Sequence, residues 1–268
     1  MIANSILLAT TGIDTASIQV LHSPLPANVY VEDDFSTVLV TALPFFLLVM
    51  FIPPVYNMVF LIVKEKESKT RESMRMMGLT DFPYWLSWFV FYSALNTVIT
   101  TLAWFTLLFN VINFSQPFWW WLFFWTYGEC VFGQIIFIQS FFTRSKFAGL
   151  FATLLFFGAS LVNLTVQNES TTHFKKLVAS LLPQVTMCQM ASVIAEYEST
   201  GVGVRFQNLD IPYLNYTYLE GLYMLFFDLV LYVALGLWLD KVFPKEYGQR
   251  LSVCFCLSPT YWGCCGMR

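Results

Sequence analysis

Long apolar runs alternate with short polar breaks along this chain. Five runs, 38–63, 82–112, 117–142, 147–166 and 218–240, reach the roughly 20 residues that a helix needs to cross about 30 Å of hydrocarbon. An open strand edge cannot satisfy its backbone in lipid, so each run reads as a membrane helix. "NFSQP" (113–117) supplies the only turn between the second and third runs. Pro53–Pro54 falls inside the first, where the missing N–H groups should kink or break the helix. A structural kink is the simpler reading, and a gating hinge is the alternative.

The pattern changes after the fourth run. "FKKLVASLLPQVTMCQMASVIAEYE" (174–198) is apolar and helix-forming, yet neither half around Pro183 is long enough to span. It predicts a helical hairpin dipping into the outer leaflet, ended by "TGVGV" (200–204). Residues 1–35 carry the loop-like "HSPLPANVY" and are too few to fold alone. They look like the tail of something larger upstream. The expected fold class is therefore all-α: a polytopic integral membrane protein with about five transmembrane helices over 36–243, a cytoplasmic amphipathic helix and an exoplasmic hairpin.

Composition supports this. The 268 residues are 57% hydrophobic and 12% charged, where soluble domains are about 45–50% apolar and about 25% charged. The net charge of -3 gives no basic surplus for nucleic acid. Six cysteines form no CxxC pair, so free thiols are the reading, with metal and S-acylation as lesser alternatives.

Orientation follows from Lys and Arg. With residue 1 outside, the cytoplasmic parts are 64–81, 143–146 and 241–268. They hold every basic residue except Lys175, Lys176 and Arg205. The N-x-S/T sequons at Asn113, Asn163, Asn168 and Asn215 all fall outside, which agrees. Asn113 and Asn163 hug the membrane. Asn168 is the best acceptor, and Asn215 is next.

The densest charge, "KEKESKTRESMRMMGL" (64–79), lies between two spanning runs and must be a cytoplasmic connector. It lacks Pro, and Gly78 is placed as a helix stop. Glu65–Lys69 and Glu67–Arg71 are i,i+4 pairs in the favourable order. Thr70, Met74 and Met77 share one face. Two readings stay open: a positive-inside anchor, or a docking helix whose Met residues form an adaptable contact.

This stretch resembles the first intracellular connector of the A subfamily of ABC transporters, at Glu65, Lys66, Glu67, Met74, Met77, Gly78 and Leu79. "LLPQVTMCQMASVIAEYESTGVGVRFQNL" (181–209) resembles that family's exoplasmic hairpin. "FFDLVLYVALGLWLDKVFPKEYGQ" (226–249) resembles its last membrane helix and exit, with Lys245 replacing the usual Gly. "PTYW" (259–262) resembles the start of the linker beyond. The resemblance covers about residues 25–262. It implies an ABC-2 type transmembrane domain, helices two to six of one half of a lipid exporter, with 1–35 the remnant of an exoplasmic domain and 244–268 a cytoplasmic linker. The connector would then couple to a nucleotide-binding domain through Glu65, Lys66, Glu67, Arg71, Met74, Met77 and Gly78. The implied partners are membrane lipid, that nucleotide-binding domain and a second transmembrane half. The chain carries no G-x-x-x-x-G-K-[ST], so ATP and Mg would belong to a separate or missing domain and the chain is expected to be no enzyme by itself.

Ionisable residues within a span mark function by default. Glu129 sits in the third run and Asp228 in the fifth. Asp228 reads as a structural hydrogen bond, with a substrate role as the alternative. Glu129 is open between packing and lining a lateral cleft. "FWWWLFFW" (118–125) reads as an interfacial aromatic belt. A different class of function, a non-transporting membrane scaffold or an inactive fragment, also fits the sequence.

Overall fold

The computed structural model describes residues 34–110, 114–167 and 171–243. The expected remnant (but for its last two residues), the linker, and the sequons Asn113 and Asn168 lie outside the described residues. Within them the chain is all-α apart from one isolated bridge, Tyr213–Tyr216. The helices are α1 (Asp34–Glu67), α2 (Thr70–Met76), α3 (Asp81–Asn110), α4 (Pro117–Gln139) and α5 (Ser145–Leu161), then α6 (Asn163–Val166), α7 (His173–Ala179), α8 (Pro183–Ser199) and α9 (Tyr218–Val242). Five stretches are long and apolar enough to span: Ala42–Glu67, Asp81–Phe109, Pro117–Gln139, Ser145–Val166 and Tyr218–Val242. The protein is an integral, multi-pass membrane protein.

α1 runs unbroken through Pro44, Pro53 and Pro54, so the expected break does not occur. Its buried stripe, Leu43, Leu47, Phe51, Val55, Met58, Val59 and Ile62, keeps helical spacing. Pro53 is exposed on the opposite side, where its ring displaces no packed neighbour.

α4 is the central helix. In its apolar window 72% of residues are buried, against 17% for α3 and for α9. Small residues bring its neighbours close. A Cβ on Gly236 of α9 would lie 2.8 Å from the backbone of Ile136, and Ser140 donates to Gly236 O at 3.0 Å. A Cβ on Gly128 would lie 1.9 Å from Asn96 Oδ1 of α3. Between α1 and α5, a Cβ on Gly149 would meet the Tyr56 ring at 2.8 Å.

The tryptophans correct the aromatic-belt reading. Trp120 is wholly buried. Trp121 and Trp125 donate across the α3–α4 seam to Thr101 and Thr97, at 3.3 and 3.2 Å, and Trp104 donates back to Pro117 O at 2.8 Å. The cluster is an indole ladder between two helices.

The segment breaks at Pro183 as expected, between α7 and α8, with Pro183 at the first position of α8. α8 is buried along nearly its whole length and packs against α1, α9, α5 and α4. This explains its polar content, since Gln184, Thr186, Gln189 and Ser192 face protein. The loops at this end close on Glu198. Its carboxylate accepts from Phe114 N at 2.7 Å, and from Ser115 N and Oγ. Gly203, at φ 66°, passes so near Phe114 that a Cβ would overlap the Phe114 backbone.

Gly236→Ala is expected to lower the thermal midpoint of the detergent-solubilised chain, at an overpacking cost of about 1–3 kcal/mol. Gly158→Ala, with nothing within 4 Å of the added Cβ, serves as control. Equal midpoints would refute the close α4–α9 contact.

Candidate functional site

The connector leaves α1 at Glu67 and turns through Lys69, held at φ 58°. α2 then runs for seven residues and ends at Gly78, φ 101°. Gly78 N bonds Arg75 O and Leu79 N bonds Met74 O, each at 3.1 Å. These paired bonds form a Schellman stop, as the glycine predicted. Leu79 and Met74 turn inward onto the core. Met77 sits at the cap and is 79% exposed, so Met74 and Met77 do not share a face as expected.

The charged residues go to different helices. Arg71 is buried and forks onto Asp240 of α9, Nη2 to Oδ2 at 2.8 Å and Nη1 to Oδ1 at 3.2 Å. Its guanidinium lies over the rings of Tyr84 and Trp85, at 4.6 and 5.1 Å. Burial pulls its pKa down, but the charge and hydrogen bonds of Asp240 outweigh this and hold it above its usual value. Lys66 Nζ lies 3.4 Å from Asp240 and donates to Gln139 O, at the C-terminus of α4, at 2.9 Å. A cation there is favourable against the helix dipole.

Glu67 accepts from Ser145 N at 2.9 Å and Oγ at 2.6 Å, placing an anion at the N-terminus of α5. Glu65 accepts from Tyr84 O–H of α3 at 2.9 Å. Arg75 pairs with Asp81 across the Gly78 turn. Glu67 and Arg71 thus have partners other than each other, in place of the expected i,i+4 pair. The segment clamps one end of α3, α4, α5 and α9 to the end of α1.

Four of the expected docking residues, Glu65, Lys66, Glu67 and Arg71, are therefore engaged within the chain. Residues 64, 67–70, 73 and 75–78 are exposed, as is neighbouring Phe82, and the large apolar side chains among them are Met76, Met77 and Phe82. Met76 and Phe82 are 84% and 76% exposed. Asp240, Gln139 and Tyr84 were missed by sequence reasoning. An acid closing the last apolar run, opposite a basic connector, was the signal for Asp240.

The intramembrane acids lie elsewhere. Glu129 is buried in the α3–α4 seam and accepts from Asn96 Nδ2 at 3.0 Å. It is closed in by packing. Asp228 is wholly buried on α9, and neither oxygen has a hydrogen-bond partner among the described residues. The expected structural hydrogen bond is absent there, and packing against α4 holds the residue. Asn163 is buried beside Gln167, whereas Asn215 is exposed in the tight turn between Tyr213 and Tyr216. Among the described residues no cluster of His, Cys, Asp and Glu could hold a metal, and Cys130 and Cys188 are buried free thiols.

Arg71→Met is expected to destabilise the solubilised chain by about 3–5 kcal/mol, because it leaves a buried carboxylate with less charge compensation. Arg71→Met combined with Asp240→Leu should cost less than the sum of the two, with a coupling of about 1 kcal/mol or more in a double-mutant cycle of thermal unfolding. Additive losses would show that the fork carries no energy.

Known proteins place this arrangement. Residues 1–238 match the family described as ABC-2 family transporter protein. The bovine (Bos taurus) retinal-specific phospholipid-transporting ATPase ABCA4 is 27% identical over 244 residues, 89% of this chain and 11% of that protein. The human (Homo sapiens) glucosylceramide transporter ABCA12 is 26% identical over 270 residues, covering 97% of this chain and 10% of its own length. The human cholesterol transporter ABCA5 is 30% identical over 227 residues, 81% of this chain and 13% of that protein. The chain spans about a tenth of the length of these relatives. On the extent of the family match, with relatives drawn from the A subfamily, the chain belongs to the ABC-2 transporter family as an A-subfamily transmembrane domain.

Proposed function

We propose that this chain is the membrane-embedded part of a transporter that moves a lipid or similar amphiphile across the bilayer, driven by ATP hydrolysis on another domain. The observation that carries this reading is the clamp. α2 offers Met76 and Met77 outward, while Arg71 in the same helix grips the end of α9 and the preceding residues grip α3, α4 and α5. A push on α2 would reach the end of α9 through Arg71 and, through residues 65–67 at the end of α1, the ends of α3, α4 and α5. Exposed methionines suit a contact that stays engaged while it shifts. In this reading a nucleotide-binding domain, holding ATP and Mg, docks on Arg75, Met76, Met77 and Phe82, and a second transmembrane half completes the transporter.

The relatives named above carry a phospholipid, a glucosylceramide and cholesterol in their names. These share a large apolar body. The broad apolar faces of α3, α5 and α9 suit such a cargo.

With the nucleotide-binding domain assembled and the complex in phospholipid vesicles, Met76→Glu with Met77→Glu should lower lipid-stimulated ATP turnover about tenfold, a loss of about 1.4 kcal/mol. The thermal midpoint of the membrane domain should stay unchanged, because both side chains are exposed. Full turnover in the double variant would sink the docking assignment.

A further inference from the structure

α9 packs on α4 and α5 on α1, and towards the loops α8 fills the space between α5 and α9. Below the hairpin tip that filling stops. A cleft of about 380 Å³ remains, floored by Phe137 and Ile138 of α4 and walled by Leu155 and Gly158 of α5. Leu182 at the hairpin tip and Tyr232 of α9 complete it. Gly158 adds no bulk: a Cβ there would meet nothing within 4 Å.

The polar groups beside the cleft already have partners. Gln134 and Gln184 exchange amide hydrogen bonds of 3.2 and 2.6 Å, and Tyr232 O–H donates to Leu181 O at 2.9 Å. The walls therefore offer an occupant mainly carbon. Gly158 and Tyr232 both lie midway along stretches that can span the bilayer, so the mouth opens at hydrocarbon depth. An apolar cavity does not hold water. The volume falls in the range of small-molecule sites, about 300–1,000 Å³.

We propose that this cleft is a binding site for one acyl chain of a bilayer phospholipid, inserted from the side between α5 and α9 beneath Leu182. A flexible tail fits a carbon-lined slot without a polar partner. A sterol would bring a hydroxyl to a site whose donors and acceptors are taken. The site rests on membrane embedding and does not depend on the transport reading. Its tail supports the hairpin tip and sets the spacing of α5 and α9.

The test uses the full chain in phosphatidylcholine nanodiscs doped with phosphatidylcholine bearing a photoreactive acyl tail. After irradiation, peptides containing Leu155–Ala159, Leu182 or Tyr232 should be labelled more heavily than the exposed face of α3 at Phe105 and Phe109. Gly158→Leu, entering open space, should cut the cleft labelling about tenfold and leave the α3 labelling unchanged. Leu182→Trp, filling the cleft from its roof, gives the same result if Gly158→Leu fails to fold. Cleft labelling equal to that of α3, or undiminished in a folded filled variant, overturns the proposal. So does preferential labelling by a photoreactive sterol that phosphatidylcholine does not displace.

Discussion

Asp240 is the point on which the rest of the structure depends. A carboxylate at the end of an apolar helix, with only 4% of its surface exposed, needs positive charge beside it. Arg71 and Lys66 supply it from opposite ends of the same turn. Once both are committed, the path of the chain between α1 and α2 has little freedom. Lys66 must also cap α4, and Glu67, next in sequence, is left facing the start of α5. One buried acid thus brings together helix ends that are distant in sequence.

The opposite end also closes on a buried acid, but with neutral donors in place of cations. There Glu198 is the acid, and its partners are backbone N–H groups of the α3–α4 loop together with the Ser115 hydroxyl. The middle of the bundle is held differently. Gly128, Gly133, Gly149 and Gly236 let backbones approach, and hydrogen bonds such as Asn96 to Glu129 are few. Interhelical hydrogen bonds in membranes average only about 0.6 kcal/mol. Ends fixed by charge and a middle fixed by shape make a bundle that responds to a push at its ends as a set.

Much of this was legible in the sequence. The five spans, the hairpin hinged at Pro183, the helix stop at Gly78 and the family all follow from run length, proline, glycine and motif order. The tertiary destinations of the charges were not legible. Glu67 and Arg71 sit at helical spacing, and local rules pair them, yet α1 ends between them and Lys69 turns left-handed, so each faces a different helix. Length alone marked the α8 segment as a dip that does not span, and only its glutamines signalled that it would be buried among α1, α4, α5 and α9. The tryptophans misled for a related reason: near a boundary, an indole N–H can face headgroups or a neighbouring helix, and composition does not choose between them.

The clamp also explains why so charged a stretch can serve two purposes. Glu65, Lys66, Glu67 and Arg71 are committed within the chain, to helix ends, to Tyr84 and to Asp240. Residues 75–78 and Phe82 face outward and carry little of the fold. Met74 and Leu79 lie between the two sets, packed on the core from either side of the Gly78 turn. The outward surface is therefore mounted on the clamp through a single short helix. A force applied at Met76 and Met77 has only the backbone of α2 to cross before it reaches Arg71, and through Arg71 the end of α9. In a membrane, where hydrophobic burial gives helices little preference for one another, such a charged linkage is among the few contacts stiff enough to carry motion from a surface into the bundle.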